Sequence, residues 1–128
     1  MSETLRGAPN LEKTEAYFLE LTEEQVIDEI PVIFRMLDEN KLTKTKELAD
    51  QLLKFPNEIT PHIFDLFESD ATAIDMKEWS LDYLVPQLPF FVKIALEDSL
   101  QRIAQAPTAQ EQSRNLQQKA KNVLDNFI

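Results

Sequence analysis

A chain of 128 residues with one glycine, Gly7, has to turn every corner after its first few residues without the residue that enters left-handed backbone at no steric cost. Sheets closed by two-residue hairpins want glycine at those corners, whereas helices stop readily at asparagine or proline. The seven prolines point the same way, because most stand beside residues suited to capping a helix. The chain is therefore expected to be all-α. Its length suits one domain that buries roughly two-thirds of its unfolded surface. Residues 1–9 read as a flexible tail and residues 10–128 as the folded unit.

Helix start signals recur along the chain. Asn10 can cap a short helix with Leu11, Phe18 and Leu19 on one side and Glu12, Glu15 and Glu20 on the other. Thr22 and Gln25 have capping-box spacing and open a helix in which Val26, Ile30, Ile33, Phe34 and Leu37 recur at helical spacing. Pro31 interrupts that run, and since an interior proline costs on the order of 3 kcal/mol, either a break near Glu29 or a marked kink is expected. Thr43 caps a helix whose Leu48, Ala49, Leu52 and Leu53 form its buried stripe. Thr60 and Pro61 start the next, with Ile59 stapled onto Phe64. Asp75 and Glu78 open another at Met76, with Ile74 stapled onto Trp79. The short link from Ser69 to Ile74 makes these two helices an antiparallel pair, Ile63, Phe64 and Phe67 facing Trp79, Tyr83 and Leu84. A helix from about Phe90 to Ala106 carries Phe91, Ile94, Leu100 and Ile103 among its apolar positions. Pro107 stops it, and Thr108 with Glu111 opens a last helix striped by Leu116, Ala120, Val123, Leu124 and Phe127. Seven or eight helices joined by short links are expected to stack as antiparallel hairpins into a short right-handed, HEAT-like α-solenoid.

From Pro31 onward, four stretches carry a resemblance to a known family. They are LDEN (Leu37–Asn40), KELADQLLKF leading into PHIFDLF (Lys46–Phe67), MKEWSLDYLVPQLP (Met76–Pro89) and RIAQAPTAQE (Arg102–Glu111). In that order they resemble a family of small bacterial proteins of unknown function with a HEAT-like helical fold. The resemblance implies a fold and no established activity. The family pattern has tryptophans near Arg35, Lys41 and Met76, and of that aromatic set only Trp79 stands here.

Charge narrows the function classes. The formal net charge is −10 and unevenly placed: residues 1–98 hold 21 acids against 9 bases, residues 99–128 hold 2 against 4. Such a surface repels nucleic acid and anionic lipid and attracts a basic protein, so neither nucleic acid nor membrane is expected as a partner. With no cysteine, no membrane-length apolar run and no export signal in MSETLRGAPN, a cytoplasmic monomer or weak dimer is expected.

Catalytic and metal chemistry find no motif. His62 is the only histidine and has no cysteine or second histidine to share a metal, so it reads as a solvated first-turn residue. Glu68, Asp70 and Asp75 lack the spacing and the glycine of a calcium loop. Ser80, Ser99 and Ser113 lack a nucleophile-elbow context. No enzyme, cofactor or metal is expected. One cluster resists a bland account: Asp65, Glu68, Asp70, Asp75, Glu78 and Asp82 surround Trp79. Like charges at such helical spacing cost roughly 0.2–0.5 kcal/mol per pair, so local stability did not choose them. Asp75 and Glu78 also favour a helix start, and the remainder can be a solvated face. Trp79 suits the core, or, if exposed, an interface anchor. These seven residues are the expected partner-binding surface. The function expected is a non-enzymatic module, immunity-type, that neutralises a basic toxin such as a nuclease through an acidic face. The alternatives are a helical scaffold that takes a peptide or helix in a groove, and an enzyme of unrecognised type.

Overall fold

Threonines start four of the helices in the computed structural model, which describes residues 14–126. Thr14 caps α1 (Glu15–Leu19), Thr22 caps α2 (Glu23–Asp38) and Thr45 caps α3 (Lys46–Leu52). Phe55 and Pro56 open α4 (Pro56–Glu68), with proline at the first helical position, where no N–H is needed. Then α5 (Ile74–Trp79) continues as a π turn, Ser80–Leu84, and a 3-10 turn, Val85–Gln87. Helix α6 starts as Phe90–Lys93, tightens to 3-10 over Ile94–Leu96 and resumes as Glu97–Gln105. Thr108 caps α7 (Ala109–Ser113), and α8 (Leu116–Asp125) follows after a turn. Among the described residues these eight helical segments account for all regular structure, and there is no strand.

Asparagine serves where glycine is missing. Asn40 sits at φ 61° just past α2, where its N–H bonds Leu37 O at 3.2 Å and that of Lys41 bonds Met36 O at 2.8 Å. This is a Schellman closure, which needs one left-handed residue. Asn115, at φ 58°, turns the chain from α7 into α8. The capping boxes of Thr22 with Gln25 and Thr108 with Glu111 both form.

Several local expectations are corrected by packing. Of the two outcomes expected at Pro31, the break near Glu29 does not occur: α2 runs on through it, with Val26, Ile30, Ile33, Phe34 and Leu37 buried on both sides. Each such side chain contributes about 1.5–3 kcal/mol, which together outweigh one lost backbone bond. Thr60 and Pro61 lie inside α4 instead of starting it. Ile59 and Ile63 are both fully buried one turn apart, and Thr60 Oγ1 donates back to Pro56 O at 2.6 Å. The cap of α3 is Thr45 and not Thr43. Helix α5 starts at Ile74 without a side-chain cap of its own; Asp38, reaching from the end of α2, accepts the Ala73 N–H at 2.9 Å. The last helix is two, α7 and α8. The expected tail over 1–9, the Asn10 cap with Leu11 and Glu12, and Phe127 lie outside the described residues.

The helices pack in two rows. One consists of α2 against α4, α4 against α6 and α6 against α8; the other of α1 against α3 and α3 against the π turn of α5. Helix α5 touches α2 and α4, and its π turn touches α8, so the core lies between the rows. Ile63, Phe67, Trp79 and Leu84 meet in that core as expected. Phe64 and Tyr83 do not, being 42% and 45% exposed, and neither do Phe91 and Ile94 on α6, at 69% and 48%. Helix α4 explains the first case. Flanked by α2 and α6 and seated on α5, it keeps one exposed strip, Asn57, Glu58, Pro61, Phe64, Asp65 and Glu68, spaced as a single helical face.

Candidate functional site

The expected carboxylate surface divides in two. Asp75, Glu78 and Asp82 descend one side of α5 and its π turn, opposite two cations from the end of the chain. Arg114 donates to Glu78 at 2.8 Å and to Asp75 at 3.2 Å, and Lys119 donates to Asp82 at 2.9 Å and lies 4.0 Å from Glu78. The hydrogen bond to Glu78 raises the pKa of Arg114, and the bond to Asp82 raises that of Lys119. Three acids that repel one another along a helix are thus held by a ladder of cations that binds α5 to the α7–α8 corner. That corrects the expectation of an open stripe: these three carboxylates are matched within the molecule. Trp79, 5% exposed, packs in the core and cannot anchor a partner.

Asp65, Glu68 and Asp70 lie elsewhere and stay exposed. Glu68 accepts a hydrogen bond from the buried Ser99 Oγ at 2.6 Å, tying α4 to α6, while Asp65 makes no ion pair. The structure therefore does not bring the seven residues into one surface.

A second charge cluster was not anticipated. Glu111 is fully buried, and its carboxylate accepts two bonds from Arg102, at 2.8 and 3.0 Å, one from Lys77 Nζ at 3.0 Å and one from the Thr108 N–H at 2.9 Å. Arg102 also donates to Phe67 O at 3.2 Å, so α5, α6 and α7 meet at one carboxylate and Arg102 ties α4 to them. Burial by itself pushes the Glu111 carboxyl up, but Arg102, the Thr108 N–H and Lys77 overcome it and hold the pKa down to about 2. Lys77 is 4% exposed. The sequence signal that could have found the cluster was partial: Glu111 was legible as a capping-box residue, and Lys77 follows the buried Met76, but nothing local joins them. With Lys77 and Glu111 buried and four helices joined through it, the cluster reads as a structural pin.

What remains for recognition is the outer side of the α2–α4–α6 row. Helix α2 exposes Glu24, Ile27, Asp28, Pro31 and Arg35; α4 exposes Glu58, Phe64, Asp65 and Glu68; α6 exposes Phe90, Phe91, Ile94 and Asp98. Acids outnumber the one cation, and large apolar side chains stand between them. Between α2 and α4 runs a cleft of about 330 Å³ that includes Phe34, Arg35, His62 and Asp65. His62 is half-buried and stacks on Phe34, centroids 5.3 Å apart at 20°, so it is a packed residue of the cleft and not a solvated one. Among the described residues no helix is long and apolar enough to cross a membrane, and no group of three or more acidic or histidine side chains is placed to hold a metal ion.

Residues 12–124 match the model of a domain family described as Domain of unknown function (DUF5071). No curated protein and no solved structure matches the chain.

Proposed function

The chain belongs to this domain family of unknown function, and from that premise we propose that it is a non-enzymatic protein-binding module that docks a positively charged protein on the outer face of the α2–α4–α6 row. The observation that carries the reading is the make-up of that face. Glu24, Asp28, Glu58, Asp65 and Asp98 make no ion pair, only Arg35 opposes them, and Ile27, Phe64, Phe91 and Ile94 stand exposed among them. Unmatched charge speeds and orients encounter, and the apolar side chains supply contact area once water is expelled. The immunity-type role, occupation of the basic cleft of a toxin such as a nuclease, is the use of such a face we favour. The docking surface we propose differs from the sequence expectation: Asp65 and Glu68 belong to it, exposed Asp70 in the link after α4 is not included, and Asp75, Glu78, Asp82 and Trp79 are left out.

We read the two rows, finer than an all-helical fold, as a short right-handed HEAT-like solenoid of antiparallel hairpins. The contacts of α2 with α4 and of α4 with α6 support this, since helices two apart are neighbours in such stacks. The competing function, a scaffold that grips a helix mainly by apolar contact, draws support from the exposure of Phe91 and Ile94.

The test is co-purification and titration with the product of the adjacent gene at low and high ionic strength. A charge-led complex weakens steeply with salt and with Asp65→Lys plus Glu58→Lys. Affinity indifferent to both points to the apolar scaffold. No complex, and no inhibition of the neighbour's activity, sinks the reading.

A further inference from the structure

Apart from the α2–α4 cleft, a second groove borders the face just described, where α8 packs beside α6. We propose that the groove between α6 and α8 seats a single amphipathic helix of a basic partner, apolar anchors at one end and lysine or arginine one turn further on. The proposal rests on the docking reading above and names the partner's form.

The near wall is one continuous strip of α6: Phe90, Ile94, Glu97, Gln101 and Gln105, separated by four, three, four and four residues. That strip is about 22 Å long at 1.5 Å per residue, the length of a four-turn helix. Leu124 and Asp125 at the end of α8 form the far wall, and the groove, open to solvent, has a volume of about 490 Å³. Helix α8 packs against the Glu97–Gln105 part of α6, with Leu100, Ile103, Leu116, Ala120 and Val123 buried, so that part of the groove is set before anything binds.

The lining is graded. Phe90, Ile94 and Leu124 offer an apolar socket at one end, Phe90 and Ile94 being 46% and 48% exposed. Glu97 and Asp125 come next and make no ion pair, and the lining contains no basic residue. Lys121, one turn back on α8, makes no ion pair with Asp125. The amides of Gln101 and Gln105 close the other end. A helix that presents apolar side chains on one turn and cations on the next satisfies the socket and both carboxylates at once, whereas a flat basic surface reaches the carboxylates and leaves the socket empty. An acidic helix is repelled.

Fluorescence anisotropy with the full chain tests this. The probes are a labelled four-turn synthetic helix with leucines on one face and lysines beside them, its scrambled isomer, and the same helix with glutamate for lysine. The lysine helix is expected to bind and the other two to bind at least about tenfold more weakly. Ile94→Asp and Glu97→Lys, both at surface positions, are each expected to weaken the lysine helix by about tenfold or more, with unchanged far-ultraviolet circular dichroism. Equal binding of the scrambled isomer overturns the proposal, as does affinity within about twofold of the parent for both folded variants. A dimer of the chain that Ile94→Asp dissolves, with no helix bound, assigns the groove to a second copy and also overturns it. The two readings fail differently. If Ile94→Asp still captures the adjacent gene product at full affinity, the groove assignment falls and the docking face stands; if the unmodified chain captures nothing, the docking face falls.

Discussion

Glu111→Gln is the substitution for which the structure makes the sharpest demand. The amide keeps the shape and one acceptor for the Thr108 N–H but removes the charge that Lys77 and Arg102 both face. Lys77, 4% exposed, is then a buried ammonium without its counter-ion. Breaking a buried pair from one side costs about 3–5 kcal/mol. A second route gives a similar size: a carboxyl whose pKa falls from 4.5 to about 2 on folding contributes about 3 kcal/mol, at ~1.36 kcal/mol per tenfold in proton affinity. Because the folded-state pKa is depressed, that stability is fully present above pH 4.5 and is lost as pH falls through about 2. Against a total of roughly 5–15 kcal/mol for a small domain, the loss is large. Urea unfolding followed by Trp79 fluorescence measures it at neutral pH and again in the acid range. The unmodified chain is expected to lose stability relative to the variant as the solution is acidified, so that their difference shrinks. The reasoning is refuted if the variant lies within about 0.5 kcal/mol of the parent at neutral pH, or if their difference is the same in acid. Lys77→Met combined with Glu111→Gln separates the ion pair from the cap, and the double variant is expected to be more stable than Glu111→Gln alone, because no buried cation is left unpaired.

Pro31→Ala is expected to stabilise the chain by about 1–3 kcal/mol in urea unfolding, because α2 already runs through position 31 without the N–H that alanine would supply. Trp79→Ala is expected to cost about 3–5 kcal/mol, and native Trp79 emission should be blue-shifted and shielded from acrylamide, which a surface anchor would not be. Asp82→Asn, which breaks a largely exposed pair with Lys119, is expected to cost less than about 1 kcal/mol and to show its effect only at low ionic strength. Asn115→Val, at a left-handed backbone position, is expected to destabilise by about 1–2 kcal/mol while Asn115→Gly stays near neutral.

Helix class was legible in the sequence wherever the governing interaction spans four residues or fewer. The Thr22 and Thr108 capping boxes, the buried stripe of α2 and the use of asparagine for chain reversal are of that kind. Boundaries failed where two local signals competed. Pro56 and Pro61 both suit a first helical position, and only the joint burial of Ile59 and Ile63 decides for Pro56. Asp75 suits a cap, but its carboxylate is drawn to Arg114 and the Ala73 N–H is satisfied from α2 by Asp38.

By itself the sequence determined that this chain is a set of helices bearing a large negative charge, since caps, apolar spacing and net charge are local or additive properties. Which carboxylates meet solvent was decided only by tertiary structure. Asp75, Glu78 and Asp82 are matched by Arg114 and Lys119 from 36 to 39 positions away, and Glu111 is matched by Lys77 from 34 away. No rule of local spacing reaches that far. The cations clustered near the carboxyl end, which made the amino-terminal portion look uniformly acidic, return in the fold to neutralise one part of it. They leave the outer side of α2, α4 and α6 charged, because Arg114 and Lys119 are engaged by the carboxylates of α5 and its π turn.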